Sequence, residues 1–346
     1  MKQFLKQLLG IRSSADYPDN ITSCMQLFAD AATERGLAVH WSTNPLYVII
    51  GRGDLKQPEI GIIAHVDVIE PFFEPREEND TLFGRGAMDM KGPATAAFFA
   101  MLDSTHQNVA MVITGDEEVG GAVAKHLCDV FVPSHDLIVP DQNRDFRITL
   151  ESKGALHFSV AVNGKEGHGA KPWSGTNAIE QGFALFDQLK NTLYVNNTDG
   201  WHNTLALAFV DMNNRSHNVI PGSARFAFDF RFVSKTPEHW QEIISDIASH
   251  YGRYEEKIAV QRIELAKTSE LERYKRISEE ELGRGVEYAQ NFGSCDARHW
   301  MGRVPTIILT RPIGSASHVF DEHVEYPSLE TLKKIIERFL NESQNL

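Results

Sequence analysis

Four short runs in this 346-residue chain are apolar almost throughout, and each breaks off into acidic residues or a histidine. IGIIA at 60–64 runs into His65-Val66-Asp67, and NVAMVIT at 108–114 into Gly115-Asp116-Glu117-Glu118. DLIV at 136–139 runs into Pro140-Asp141, and PTIILT at 305–310 into a loop carrying Gly314 and His318. Helical stretches such as KGPATAAFFAML and AVAKHLC separate them, which predicts an open α/β sheet with crossover helices. In such a sheet the carboxyl ends of the strands open into one crevice, and ligands bind there. The pattern delivers His, Glu-Glu, Asp and His to one edge. Asp89, in FGRGAMDMKG just before a helix, is a fifth member. Any one of these alone reads as a solvated loop residue. Four strand ends repeating the motif do not.

The surrounding chain supports a two-part organisation. Residues 46–50, 59–64, 109–114 and 136–139 read as strands of the larger part, and 1–14 begins with an amphipathic helix carrying Phe4, Leu5, Leu8 and Leu9. From about residue 153 the character changes. Strand-like 155–162, helical 177–191, strands 204–210 and 223–232, helical 236–251 and a last strand at 258–265 give the order β-α-β-β-α-β of a ferredoxin-like sandwich. In 223–232, Phe226, Phe228, Phe230 and Phe232 face one way and Arg225, Asp229 and Arg231 the other. A polar helix over 270–291 then leads to GSCDARHW, expected to open another helix, the strand 305–310 and a final amphipathic helix, 329–340. The expected fold is an open, mostly parallel mixed sheet with helices on both faces. Residues 1–152 and 267–346 form it, and a ferredoxin-like α+β domain, 153–266, is inserted.

Composition narrows the function. Lys+Arg 34 against Asp+Glu 47 leaves a net charge of −13, which repels phosphate backbones and anionic headgroups, so neither nucleic acid nor membrane is an expected partner. No apolar run approaches the ~20 residues of a membrane helix. In MKQFLKQLLGIRSS, Lys6 and Gln7 interrupt what a secretory signal would need as an unbroken apolar core. Cys24, Cys128 and Cys295 are odd in number and far apart, which excludes a disulfide framework and points to a reducing cytoplasm. Gly84 and Gly86 do not make a dinucleotide loop, because Asp89 puts a carboxylate where a pyrophosphate would sit.

A two-cation hydrolytic centre fits the constellation. Two Zn²⁺ ions roughly 3.5–4 Å apart could share Asp89, one adding His65 and a second carboxylate, the other His318 and a third. Each ion keeps an open position, as catalytic zinc requires. Three carboxylates against two divalent ions leave one positive charge, which favours hydroxide over water. Asp67, two residues past His65, is placed to orient its imidazole. Glu117 and Glu118 are consecutive and diverge, so one can ligate while the other takes the water's proton.

These residues resemble the two-zinc amidohydrolases and exopeptidases that include acetylornithine deacetylase, succinyl-diaminopimelate desuccinylase and carboxypeptidase G. The matching stretches are HVD (65–67), GRGAMDMKG (84–92), GDEEVGG (115–121), GHGA (167–170), NVIPG (218–222), FDFRF (228–232), GSCDAR (293–298) and GSASH (314–318). The resemblance implies His65 and Asp141 on the first zinc, Glu118 and His318 on the second, and Asp89 bridging with a cis peptide bond to Met90. It implies Glu117 as general base, with Asp67 behind His65; Co²⁺ or Mn²⁺ could take the place of zinc. In the inserted lid and dimerisation domain it implies His168 as the oxyanion-stabilising histidine, often supplied across a homodimer. Arg231 would hold the substrate's carboxylate, with Asn218, Gly293 and Ser294 near it.

The expected reaction is hydrolysis of the amide of a small N-acyl amino acid by a metal-activated water. DMKG and the compact length favour a deacylase. Asp141, where deacylases usually carry Glu, favours a dipeptidase or aminopeptidase. Cys295, Ala297 and the short segment 68–83 also depart from the common pattern. A catalytically silent metal-binding protein should have lost the base or a ligand, and this sequence keeps them all.

Overall fold

A computed structural model describes residues 1–214, 216–315 and 317–343. The chain forms two compact units: Met1–Glu151, Glu264–Asn291 and Cys295–Leu346 make the larger, and Ser152–Ile263 with Phe292–Ser294 the smaller.

The larger unit is built on a six-stranded sheet. From one edge its strands are Ala38–Thr43, Leu46–Arg52, Val109–Thr114, Ile60–His65, Asp136–Val139 and Thr306–Leu309. The last four run parallel, with His65 opposite Thr114 and Leu309 opposite Val139, while the first two are antiparallel. Every residue of Ile60–His65 and Val109–Thr114 is buried, so both faces of the sheet are covered. The helix Lys91–Asp103 is buried nearly all round, and its small residues Ala94, Ala96, Ala97 and Ala100 let it pack tightly against the final helix Tyr326–Glu342. Gly92 is required there, because a Cβ would stand 2.1 Å from the Ala87 carbonyl oxygen. The Lys91 ammonium is buried and donates to the carbonyls of Leu8 (3.0 Å) and Ile11 (2.7 Å), tying down the end of the first helix, Lys2–Leu9.

The smaller unit is a four-stranded antiparallel sheet in the order Thr204–Asp211, Ser223–Phe232, Gly154–Asn163 and Gly252–Val260, packed by the helices Ala178–Thr192 and Pro237–Ser249. This is the ferredoxin-like connection that the order of elements predicts. Phe226, Phe228, Phe230 and Phe232 are all buried, each contributing about 1.5–3 kcal/mol. Asn177 and Thr236 cap the two helices through bonds to Ile179 N and His239 N.

Several expectations need correction. The strand expected at 258–265 is Gly252–Val260, because this edge strand is polar on its open side and bulges between Glu256 and Ile258, which hides its alternation. The helix expected over 270–291 stops at Leu282, where Gly283 turns left-handed (φ 64°), and Tyr288–Asn291 is a strand. GSCDARHW yields only a 3₁₀ stretch, Asp296–Trp300. The helix Pro18–Glu34 and the edge strand Ala38–Thr43 were not anticipated.

Candidate metal centre

The four parallel strands are adjacent, so their carboxyl ends lie side by side. His65 ends its strand, and Glu117–Val119 forms a 3₁₀ turn just beyond Thr114. Asp141 follows Val139, and His318 lies beyond Leu309 with a left-handed backbone (φ 65°). Asp89 precedes the helix Lys91–Asp103, and its peptide bond to Met90 is cis. Donor atoms of His65, Asp89 and Asp141 lie within 4.8 Å of one another, as do those of Asp89, Glu118 and His318. Asp89 belongs to both triads.

The surrounding bonds aim these donors. His65 Nδ1 faces the Asp67 carbonyl (3.1 Å) and carboxylate (3.4 Å), which leaves Nε2 pointing towards Asp89 Oδ1 at 3.4 Å. That buried Nε2 makes no hydrogen bond among the described residues. The Asp67 carboxylate also accepts from Glu117 N (3.3 Å) and Glu118 N (3.0 Å), so it fixes both the imidazole and the acidic turn. His318 Nε2 stands 3.1 Å from a Glu118 oxygen and 3.5 Å from Asp89 Oδ2. Two imidazoles and three carboxylates, with an orphaned buried ring nitrogen, are a donor set that fits two divalent cations.

Burial and neighbouring charges shift the carboxyls of this cluster in different directions. Burial pushes the Glu117 carboxyl well up, with Asp296, Asp141 and Asp89 adding to it against the pull of His65. Burial raises Glu118 and Asp141 too, opposed by His318 and Arg311 respectively. Burial would also raise Asp89, but Arg311, His65 and His318 overturn it and hold that carboxyl far below its usual range. The His318 imidazole is raised by its bond to Glu118.

Three neighbours escaped the sequence reading. The buried Glu322 carboxylate accepts from Met88 N and Asp89 N (both 2.9 Å) and pairs with Arg85 (3.0 Å). Arg311 pairs with Asp141 at 2.5 Å. Buried Asp296, whose oxygens make no hydrogen bond among the described residues, is pushed up to about 7 by burial against the pull of Arg298. Glu322 lies four residues past His318 in a loop with no periodicity, and Arg311 sits one residue beyond its apolar run. Only proximity in space marks them.

The remaining candidates lie in the smaller unit. Gly167–His168 pairs with Val219–Ile220, and Gly169 N donates to the Asn218 carbonyl (2.7 Å), so exposed His168 and Asn218 share one ribbon. Arg231 is held by Asp229 (2.6 and 2.9 Å), with His157 Nε2 at 3.2 Å. Burial notwithstanding, bonds from His157 and Arg231 keep Asp229 at about 2. Gly293 and Ser294 lie on the segment 292–294, where Ser294 Oγ donates to the Gln261 carbonyl (3.4 Å).

A family match makes this chain a hydrolase of amide or peptide bonds. Residues 61–342 match the model of peptidase family M20/M25/M40, and the chain belongs to that family. It is 25% identical to a succinyl-diaminopimelate desuccinylase of Alkalilimnicola ehrlichii, over 92% of both chains. Its fold is similar to that of a tripeptidase from Staphylococcus aureus (TM-score 0.83, 16% identity, covering 100% of this chain and 98% of that one). It is equally similar to an M20 family metallo-carboxypeptidase from Sulfolobus solfataricus (TM-score 0.83, 15% identity, covering 100% and 99%). Among the described residues no helix is long and apolar enough to cross a membrane.

Proposed function

We propose that this enzyme is a deacylase that uses two divalent ions, zinc for choice, to cleave the amide of a small N-acyl amino acid. One observation carries the reading: Asp89 is common to two ligand triads. His65 and Asp141 would hold one ion with Asp89, and Glu118 and His318 the other. Ions bound there would supply Lewis acidity that polarises the scissile carbonyl and acidifies water. Glu117 takes the proton of the attacking water and hands it to the leaving amine. Its carboxyl, raised by burial, is suited to both transfers. Asp67 keeps the Glu117–Glu118 turn and the His65 ring in register. His168 stabilises the oxyanion, and Arg231, with Asn218, Gly293 and Ser294, receives the substrate's carboxylate.

The acyl-amino-acid class is supported by the relatives named as succinyl-diaminopimelate desuccinylases. Asp141, and the likeness to a tripeptidase, favour a peptidase as the second reading. We assign the enzyme to the cytoplasm on its three free, buried cysteines. A homodimer through the smaller unit is supported by the unpaired edge of Thr204–Asp211, where Phe209 is exposed. The test is release of free amine by metal-reconstituted enzyme from succinyl- and acetyl-amino acids beside dipeptides, with and without chelator. Chelator-sensitive turnover of the acyl substrates supports the deacylase. Turnover of dipeptides alone would replace it with the peptidase.

A further inference from the structure

The mouth of the metal centre is apolar. The Asp89 and Glu118 side chains are only 10% and 8% exposed, and that of His318 is 49% exposed, so solvent reaches this triad past the imidazole. Three loops converge there. Glu118 and His318 stand 3.1 Å apart, which brings the 115–121 turn and the 312–325 loop together. Arg85 joins a third loop, 66–75, to the second by donating to the carbonyls of Pro71 (3.2 Å) and Val319 (3.0 Å). Each loop presents apolar side chains. Val119 follows Glu118 and is 62% exposed, and Phe320, two residues past His318, is 69% exposed. The Phe320 ring stacks on that of Phe73, with centroids 5.6 Å and planes 29° apart, and the Arg85 guanidinium backs Phe73 at 5.4 Å from its centroid. Apolar surface left bare beside a polar cleft marks a place where a ligand is bound.

The same loops lack the charge that an anionic group would need. Residues 66–75, 115–121 and 312–325 contain no lysine or arginine. The guanidiniums that reach them from outside are already paired: Arg12 with Glu70 at 2.8 Å, Arg85 with Glu322 at 3.0 Å and Arg311 with Asp141 at 2.5 Å. Glu74 and Asp321 are exposed and add negative charge. A carboxylate placed here would lose water and meet rings and acids in return.

We propose that this rim receives the acyl half of the substrate and selects an uncharged, apolar acyl group, aromatic in preference to acetyl, over a dicarboxylic group such as succinyl. The inference rests on the deacylase reading, in which Arg231 takes the carboxylate at the other end of the molecule. The Phe73–Phe320 pair supplies a face on which an aryl group stacks, and the larger apolar area of a benzoyl group gains more from it than an acetyl group does.

The test compares kcat/KM of the metal-reconstituted full-length enzyme for the N-benzoyl, N-acetyl and N-succinyl derivatives of each amino acid in a panel. Wild type should take the benzoyl compound at least about tenfold better than the succinyl one. Phe320→Ala should lower the benzoyl-to-acetyl ratio about tenfold, and Phe320→Lys, which adds the missing cation, should move the benzoyl-to-succinyl ratio towards succinyl by at least as much. Circular dichroism and metal content check each variant, and Phe73→Ala, which removes the other ring of the pair, decides the matter should Phe320→Ala lose its fold or its metal. Succinyl compounds turned over as well as benzoyl ones by wild type, or an unchanged benzoyl-to-acetyl ratio in folded, metal-loaded Phe320→Ala or Phe73→Ala, would overturn the proposal. Turnover of dipeptides with none of any acyl compound would overturn the deacylase reading itself and this inference with it, which sets that failure apart from the others.

Discussion

Glu322 accepts the backbone N–H of Asp89 at 2.9 Å, so the shared carboxylate is positioned through its own main chain by a residue that touches none of the other proposed ligands. The same carboxylate holds Met88 N and neutralises Arg85, which in turn bonds the carbonyls of Pro71 and Val319. Glu322→Gln keeps the shape but removes the charge: its amide oxygen can still accept from both N–H groups, which turns its NH2 towards the Arg85 guanidinium, donor against donor. We expect metal affinity to fall about 10–100-fold, as for other residues that orient ligands. Metal retained on dialysis measures this; wild-type retention would dissociate Glu322 from the centre.

Asp136 opens its strand with a buried carboxyl whose Oδ1 makes no hydrogen bond among the described residues. Burial, helped by Glu270, pushes it up to about 6. A carboxyl that holds its proton more tightly folded than unfolded supports the fold fully below about pH 3.8, and that support is lost as pH rises through 6. Asp136→Asn should therefore raise stability at pH 8 by about 1–3 kcal/mol and change it little at pH 3.5. Urea titrations at the two pH values check the sign, and an equal effect at both would refute it.

Gly182 lies on the helix Ala178–Thr192 where an added Cβ would come within 2.0 Å of the Phe226 ring. Gly182→Ala should overpack the smaller unit and cost about 1–3 kcal/mol despite the gain in helix propensity. Thermal unfolding is the readout, and an unchanged or higher midpoint would contradict the packing described.

Much of this was legible in the chain, for particular reasons. The runs ending at His65, Glu117, Asp141 and His318 share one fold-level cause, parallel strands whose carboxyl ends open together, and the residues carry the regularity themselves. The four phenylalanines of Ser223–Phe232 are legible because a half-buried strand has period two. Arg311 and Glu322 are single polar residues in aperiodic loops and Asp296 opens a short 3₁₀ turn, and only the folded chain brings them to Asp141, Asp89 and the Glu117 turn. The edge strand Gly252–Val260 was displaced for a similar reason, since exposure on its open side erases the alternation that names a strand.

The most direct measurement takes metal content and turnover from one sample of Glu117→Gln. The account predicts wild-type metal content, because Glu117 belongs to neither ligand triad. It predicts a rate lower by about 10²–10⁴-fold, the usual worth of a positioned general base. Near-normal turnover with metal bound, or loss of the metal along with the rate, would contradict it.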